Sequence, residues 1–162
     1  MTVKPEVISA LFDGWRAYQQ LMVNSLQALN ESQLSYRAAE NLRSVEEIAC
    51  HIIAARAYWF CGRMDETGEE FEAFAGWGRD GDKTHSPEEL VGGLVRTWDF
   101  MHLAIARWSP AEWEQTWPGR RPHDPKIITR DWVLWHLIEH DLHHGGEISL
   151  TLGTHGMEGL GL

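Results

Sequence analysis

The chain has 162 residues, 43% of them hydrophobic, and its 24 acidic against 14 basic side chains give a formal net charge of −10. Length and apolar content suit one folded domain spanning residues 1–162, and the acidic balance argues against a phosphate-binding surface and so against nucleic acid as a partner. No apolar signal region opens the sequence and no stretch approaches membrane-spanning length, so no membrane partner is expected and the expected compartment is the cytoplasm.

Pro5 opens an amphipathic stretch with Val7, Ile8, Leu11, Trp15, Tyr18, Met22 and Leu26 at helical spacing, which predicts a first long helix from about Glu6 to Asn30. Ser44-Val45-Glu46-Glu47 is a capping box, and it predicts a second helix through Ile48, Ile52, Ala55, Tyr58 and Trp59 to about Arg63. A Gly-rich and acidic connection from about Met64 to His85 follows, carrying Trp77. The acids Asp65, Glu66, Glu69, Glu70 and Glu72 within it are expected to form a solvated face. Ser86-Pro87-Glu88-Glu89 is a second capping box with proline at the first helical position, starting a third helix through Leu90, Leu94, Trp98, Met101 and Ile105. A short helical turn is expected at Ser109-Pro110, then an irregular stretch from Trp117 to Lys126. Thr129 caps a fourth helix, from Arg130 to about Leu152, closed by Gly153.

No alternation of strand-forming residues has useful length, so the expected class is all-α, a four-helix bundle without a sheet core. The second connection is long enough to let helices two and three run parallel, which predicts an up-down-down-up arrangement. Nine tryptophans favour a large aromatic core or an apolar pocket. Trp59, Trp98, Trp132 and Trp135 are expected in the core, and Trp77 as a lid over a pocket or a dimer contact. Cys50 and Cys61 are no disulfide framework, being too far apart on one helix to bridge, and Cys50 is expected to be a buried structural thiol.

Four of the nine histidines fall in the ten residues Trp135–His144. Residues four apart on a helix share a face, so His136, His140 and His144 form one stripe with a rise of ~6 Å between neighbours. Two adjacent members can aim at one cation; three cannot, because the outer pair lies roughly 12 Å apart along the axis. The third ligand must come from elsewhere, and His51 on the second helix is the candidate. Three neutral imidazoles leave a divalent ion its full charge and open positions, the pattern of a catalytic rather than a structural site. Imidazole suits zinc, nickel, iron(II) and copper alike.

Rival motifs fail specific checks. Glu139-His140-Asp141 contains a His-Asp pair as in HD-type phosphohydrolases, but no later aspartate follows Asp141. The Glu-x-x-His pairs of di-iron bundles, the His-Glu-x-x-His of zincins, a Gly-rich phosphate loop and a Gly-x-Ser-x-Gly elbow are all absent.

With these residues in view the chain resembles the DinB/YfiT-like family of small metal-binding four-helix bundles over nearly its whole length. The resemblance rests on Ser44-x-x-Glu47-x-x-x-His51 and on His140-Asp141-Leu142-His143-His144-Gly145-Gly146-Glu147-Ile148. It implies the triad His51, His140 and His144 as ligands of one divalent metal ion, zinc or nickel foremost, iron or manganese as alternatives, with His143 beside the site or facing out. Two departures stand out: Gly145 replaces a common arginine and Glu147 a common glutamine. Glu147 is either an acceptor for an imidazole N–H or an exposed acid, the second being the expectation. His136 is expected to pack among Trp132 and Trp135. Arg120-Arg121 are read as a solvated loop pair rather than an anion site.

The family implies a metal-dependent enzyme, a thiol-dependent S-transferase or a hydrolase, acting on a small-molecule substrate and with a low-molecular-weight thiol as a candidate partner. A divalent ion lowers a thiol's pKa, and the thiolate is the nucleophile. The alternative is a non-catalytic metal-binding or stress-response bundle acting as a dimeric binding module, and a homodimer is compatible with either.

Overall fold

The computed structural model describes residues 5–66, 68–119 and 127–161. In chain order the helices are α1 (Pro5–Gln27), α2 (Glu31–Leu34), α3 (Val45–Met64), α4 (Glu69–Glu72), α5 (Pro87–Arg107), α6 (Pro110–Trp113) and α7 (Arg130–Thr154), with a 3₁₀ turn (Ala73–Gly76) after α4. The long ones, α1, α3, α5 and α7, make the bundle. Strands β1 (Thr116–Trp117) and β2 (Ile128–Thr129) pair antiparallel just before α7, too short to be a sheet core.

Local chemistry sets the helix starts. Ser44, Ser86 and Ser109 each accept a hydrogen bond from the backbone three residues on, and Glu47, Glu89 and Glu112 each reach back to the cap, so both predicted boxes form and a third starts α6. Thr129 caps α7. Two predicted ends move. Asn30, expected as the last residue of the first helix, is instead the extended N-cap of α2, because its side chain accepts the Gln33 N–H at 3.1 Å and its own N–H donates to Gln33 Oε1 at 2.9 Å. Gly153 does not close α7, which runs through Thr154; the left-handed residue is Gly156, at φ +72°.

Side-chain contacts fix the directions. His51 meets His144 and Trp59 meets Trp132, so α3 and α7 are antiparallel. Arg56 reaches Leu94 and Phe60 faces Phe100, so α3 and α5 run parallel. Gln19 bonds Leu94 and Arg16 meets His102, making α1 and α5 antiparallel. Trp15 bonds Asp141 while Tyr18 bonds Leu142, so α1 and α7 run parallel. This is the up-down-down-up bundle.

Burial follows the stripes. Met22, Leu26, Ile52, Ile53, Phe60, Leu90, Leu94, Met101, Leu137, Ile148 and Leu152 are all sealed from solvent. Trp59 and Trp98 are in the core as expected and Trp132 packs at its edge, but Trp135 is 56% exposed. The buried face of α7 runs through Leu134, Leu137, Asp141 and Ile148, and Trp135 lies off that line. Glu66 is also not the solvated acid expected. It is buried, taking Arg130 Nη1 at 2.7 Å, Arg107 Nη2 at 2.8 Å and Trp108 Nε1 at 2.5 Å. Arg120 and Arg121 lie outside the described residues. No helix is long and apolar enough to cross a membrane among the described residues.

Candidate metal centre

The two helices that carry the histidines are locked together from inside. Arg56 on α3 and Asp141 on α7 are both fully buried, with Arg56 Nη2 2.7 Å from Asp141 Oδ2. That carboxylate oxygen also accepts from Trp15 Nε1 at 2.7 Å, and Arg56 Nη2 donates to Gln19 Oε1 at 2.7 Å. Arg56 Nη1 reaches the Leu94 carbonyl at 3.2 Å and Thr97 Oγ1 at 3.3 Å. One residue cluster thus ties all four long helices, with the charges paired and their remaining groups bonded as a buried pair demands. Sequence reading missed it. The available signal is a lone cation among Ile52, Ile53 and Ala57 and a lone acid on the Leu137–Ile148 stripe.

This register sets His51, five residues before Arg56, opposite His140 and His144. The rings of His51 and His140 lie 4.8 Å apart between centroids, His51 and His144 4.7 Å, and His140 and His144 4.4 Å. Nε2 of His51 and Nε2 of His140 approach to 3.2 Å. Two ligands ~2.0–2.1 Å from one tetrahedral ion sit about 3.3 Å apart, so this spacing fits a shared cation. One nitrogen from each of the three rings lies within 4.8 Å of the others, and among the described residues no fourth ligating group joins them.

Electrostatics favour the neutral form of His140 and His144. Burial first, then the neighbouring His144 and His51 rings, push His140 down to about 2. Burial also lowers His144, against the opposing pull of Glu147. Glu147 Oε2 accepts from His144 Nδ1 at 2.7 Å, so the proton is held there and Nε2 is left as a lone pair. Glu147 is therefore bonded to the triad rather than the idle exposed acid expected. The buried Nδ1 of His140 has no hydrogen-bond partner among the described residues.

The other candidates separate cleanly. The His143 side chain is 68% exposed, meeting Glu147 Oε1 at 3.4 Å and standing edge-on to the His144 ring with centroids 4.8 Å apart. His136 stacks on Trp132 at 5.0 Å and stands edge-on to Trp59 at 5.1 Å, so it packs as expected, but not against Trp135. Cys50 is buried, its thiol pushed up to about 12 by burial and then by Glu46 and nearby acids, which makes it inert at neutral pH.

Above the triad opens a cavity of about 680 Å³, with His51, His136, His140 and His144 at its floor and Tyr58, Trp59 and Trp77 along its side. Trp77 is half-buried and stacks on the buried His85, centroids 3.8 Å apart at 21°. Gly93 on α5 makes room for it: a Cβ there would come within 3.0 Å of the Trp77 ring.

Parallel middle helices and a three-histidine corner between the second and fourth long helices define a class of bundle built to present imidazoles to one point. The DinB family model matches residues 1–161, and the chain belongs to the DinB family. The fold is similar to that of a DinB-like protein from Bacillus cereus ATCC 10987, with a TM-score of 0.72, 17% identity, and 96% of this chain and 97% of that one covered. It is equally similar to YfiT from Bacillus subtilis, with a TM-score of 0.72, 14% identity, and 97% and 92% covered. YfiT is described as a probable metal-dependent hydrolase with an unusual four-helix bundle topology. No curated protein matches the chain.

Proposed function

We propose that this chain is a metal-dependent enzyme in which His51, His140 and His144 hold one divalent ion, zinc or nickel foremost, and that the cavity above them receives a small-molecule substrate. The observation that carries this reading is the convergence of three imidazole nitrogens within 4.8 Å at the floor of a cavity of about 680 Å³. A divalent ion with open positions would supply Lewis acidity to an oxygen or sulfur ligand, the chemistry common to hydrolysis and to thiol transfer. Glu147 holds the His144 tautomer, and the Arg56–Asp141 pair fixes the helix register behind the site. Tyr58, Trp59 and Trp77 shield one side from water. The description of YfiT supports the hydrolase arm. The absence of a fourth ligating group among the described residues, together with the volume above the triad, favours catalysis over a purely structural ion.

Metal analysis of protein purified without a histidine tag tests the ligand set. About one ion per chain is expected in the wild type, reduced occupancy in each single His→Ala variant, and none in the triple variant. Full occupancy in the triple variant rejects the assignment. A metal-loaded protein that turns over nothing in a panel of esters, amides and thiol–electrophile pairs would shift the reading to a binding module.

A further inference from the structure

Two arginines stand at the rim of the histidine cavity. Arg43 and Arg79 line it, both are exposed, and neither makes an ion pair or a side-chain hydrogen bond. Most other described cations are engaged: Arg16 with Asp13, Arg37 with Glu47, Arg56 with Asp141, Lys83 with Glu89, Arg107 and Arg130 with Glu66, and Arg63 with the Pro118 carbonyl. Among the described residues only Arg96 shares their state, and it lines a separate pocket on Trp77 rather than this cavity.

The acids nearest the pair are hydrogen-bonded to other groups, and Glu47 and Glu147 feel the Arg43 charge only through space. Glu47 takes both Arg37 nitrogens, at 2.7 and 2.8 Å, and the Ser44 N–H at 2.8 Å. Glu147 accepts from His144, and Asp82 accepts from the Gly78 and Lys83 N–H groups and meets His85 Nε2. Arg79 is presented by a built turn. Gly78 adopts φ +67° and lies so close to α3 that a Cβ would come within 3.1 Å of the Cys50 Cβ. Two guanidiniums without a direct counter-ion leave the mouth locally cationic on a chain of net charge −10. A guanidinium fork matches a carboxylate, and the adjoining wall of Tyr58, Trp59 and Trp77 suits a flat apolar body.

We propose that the substrate of this cavity is a small aromatic carboxylate, its anion held by Arg43 and Arg79 and its ring against Trp59 and Trp77. The proposal rests on the reading of this cavity as the substrate site. Calorimetric titration of the whole untagged protein with 1-naphthoate and with its neutral counterpart 1-naphthamide tests it, on metal-loaded and on chelator-treated samples of measured metal content. Naphthoate is expected to bind about tenfold or more tightly than naphthamide in both samples. That preference is expected to vanish in the Arg43→Gln/Arg79→Gln variant and to persist in Arg96→Gln, with naphthamide binding unchanged. Equal affinity for the two probes, no binding of naphthoate, or a preference indifferent to the two arginines overturns the proposal. A wild type without metal would instead count against the ion site alone, since the charge preference is read separately in the chelated protein.

Discussion

His140 and Asp141 are neighbours on α7 about 100° apart around the helix, so one faces the cavity and the other the core. The division gives each its environment: the imidazole stays neutral beside two others, and the carboxylate meets the fully buried guanidinium of Arg56. A buried pair is costly to break and cheap to replace whole. Asp141→Ala is expected to destabilise the fold by ~3–5 kcal/mol, because Arg56 is left charged, enclosed and without its counter-ion. Arg56→Met/Asp141→Leu is expected to fall well short of that loss. Urea unfolding of chelator-treated protein measures both; a milder Asp141→Ala than double variant would refute the account. Glu147 shows the same logic at the surface. Its spacing from His144 was visible in the sequence, yet spacing alone could not separate an idle acid from one at 2.7 Å from Nδ1.

Along α7, two adjacent glycines have different reasons to exist. A Cβ at Gly145 would meet the Tyr18 ring, 2.7 Å from Cε1, whereas a Cβ at Gly146 would meet nothing within 4 Å. Tyr18 is buried on α1 and donates to the Leu142 carbonyl, so it has little freedom to retreat. Glycine suits this position because α1 occupies the space a side chain would need. Gly146→Ala is expected to stabilise by ~0.5–1 kcal/mol through helix propensity alone. Gly145→Ala is expected to destabilise by ~1–3 kcal/mol through overpacking, despite the same propensity gain. Thermal unfolding of the two variants checks the opposite signs. The elements that were legible in the sequence are those encoded locally. The boxes at Ser44/Glu47 and Ser86/Glu89 fall within four residues, and the His140–His144 spacing is one helical turn. Contacts between distant residues left weaker traces. Nothing near Glu66 in sequence announces Arg130, and the turn built by Asn30 competes with helix continuation on nearly equal terms. Trp135 shares its chemistry with Trp132, and only the packed face of α7 tells them apart.

For the whole molecule, the acid side of the stability profile is written in its lowered carboxylates. Burial raises the pKa of Glu66, but hydrogen bonds from Arg107, Arg130 and Trp108 outweigh it, and the net direction is down. A carboxyl depressed in the folded state stabilises above its unfolded pKa and loses that contribution as pH falls through the folded value. Glu66→Gln is therefore expected to be less stable than wild type at pH 7, with the gap closing below about pH 4, as read from denaturant midpoints across that range. A gap that widens in acid would contradict the sign. The parallel course of α3 and α5 has a further reach. After α3 the chain must climb back along ~30 Å of bundle before α5 can begin. On that return it lays Phe71 on Phe100, Gly78 on Cys50 and Trp77 along the wall of the histidine cavity. Wiring and wall are one segment, so exchanging that span would rewrite what fits beside the histidines while the helices holding the imidazoles kept their stance.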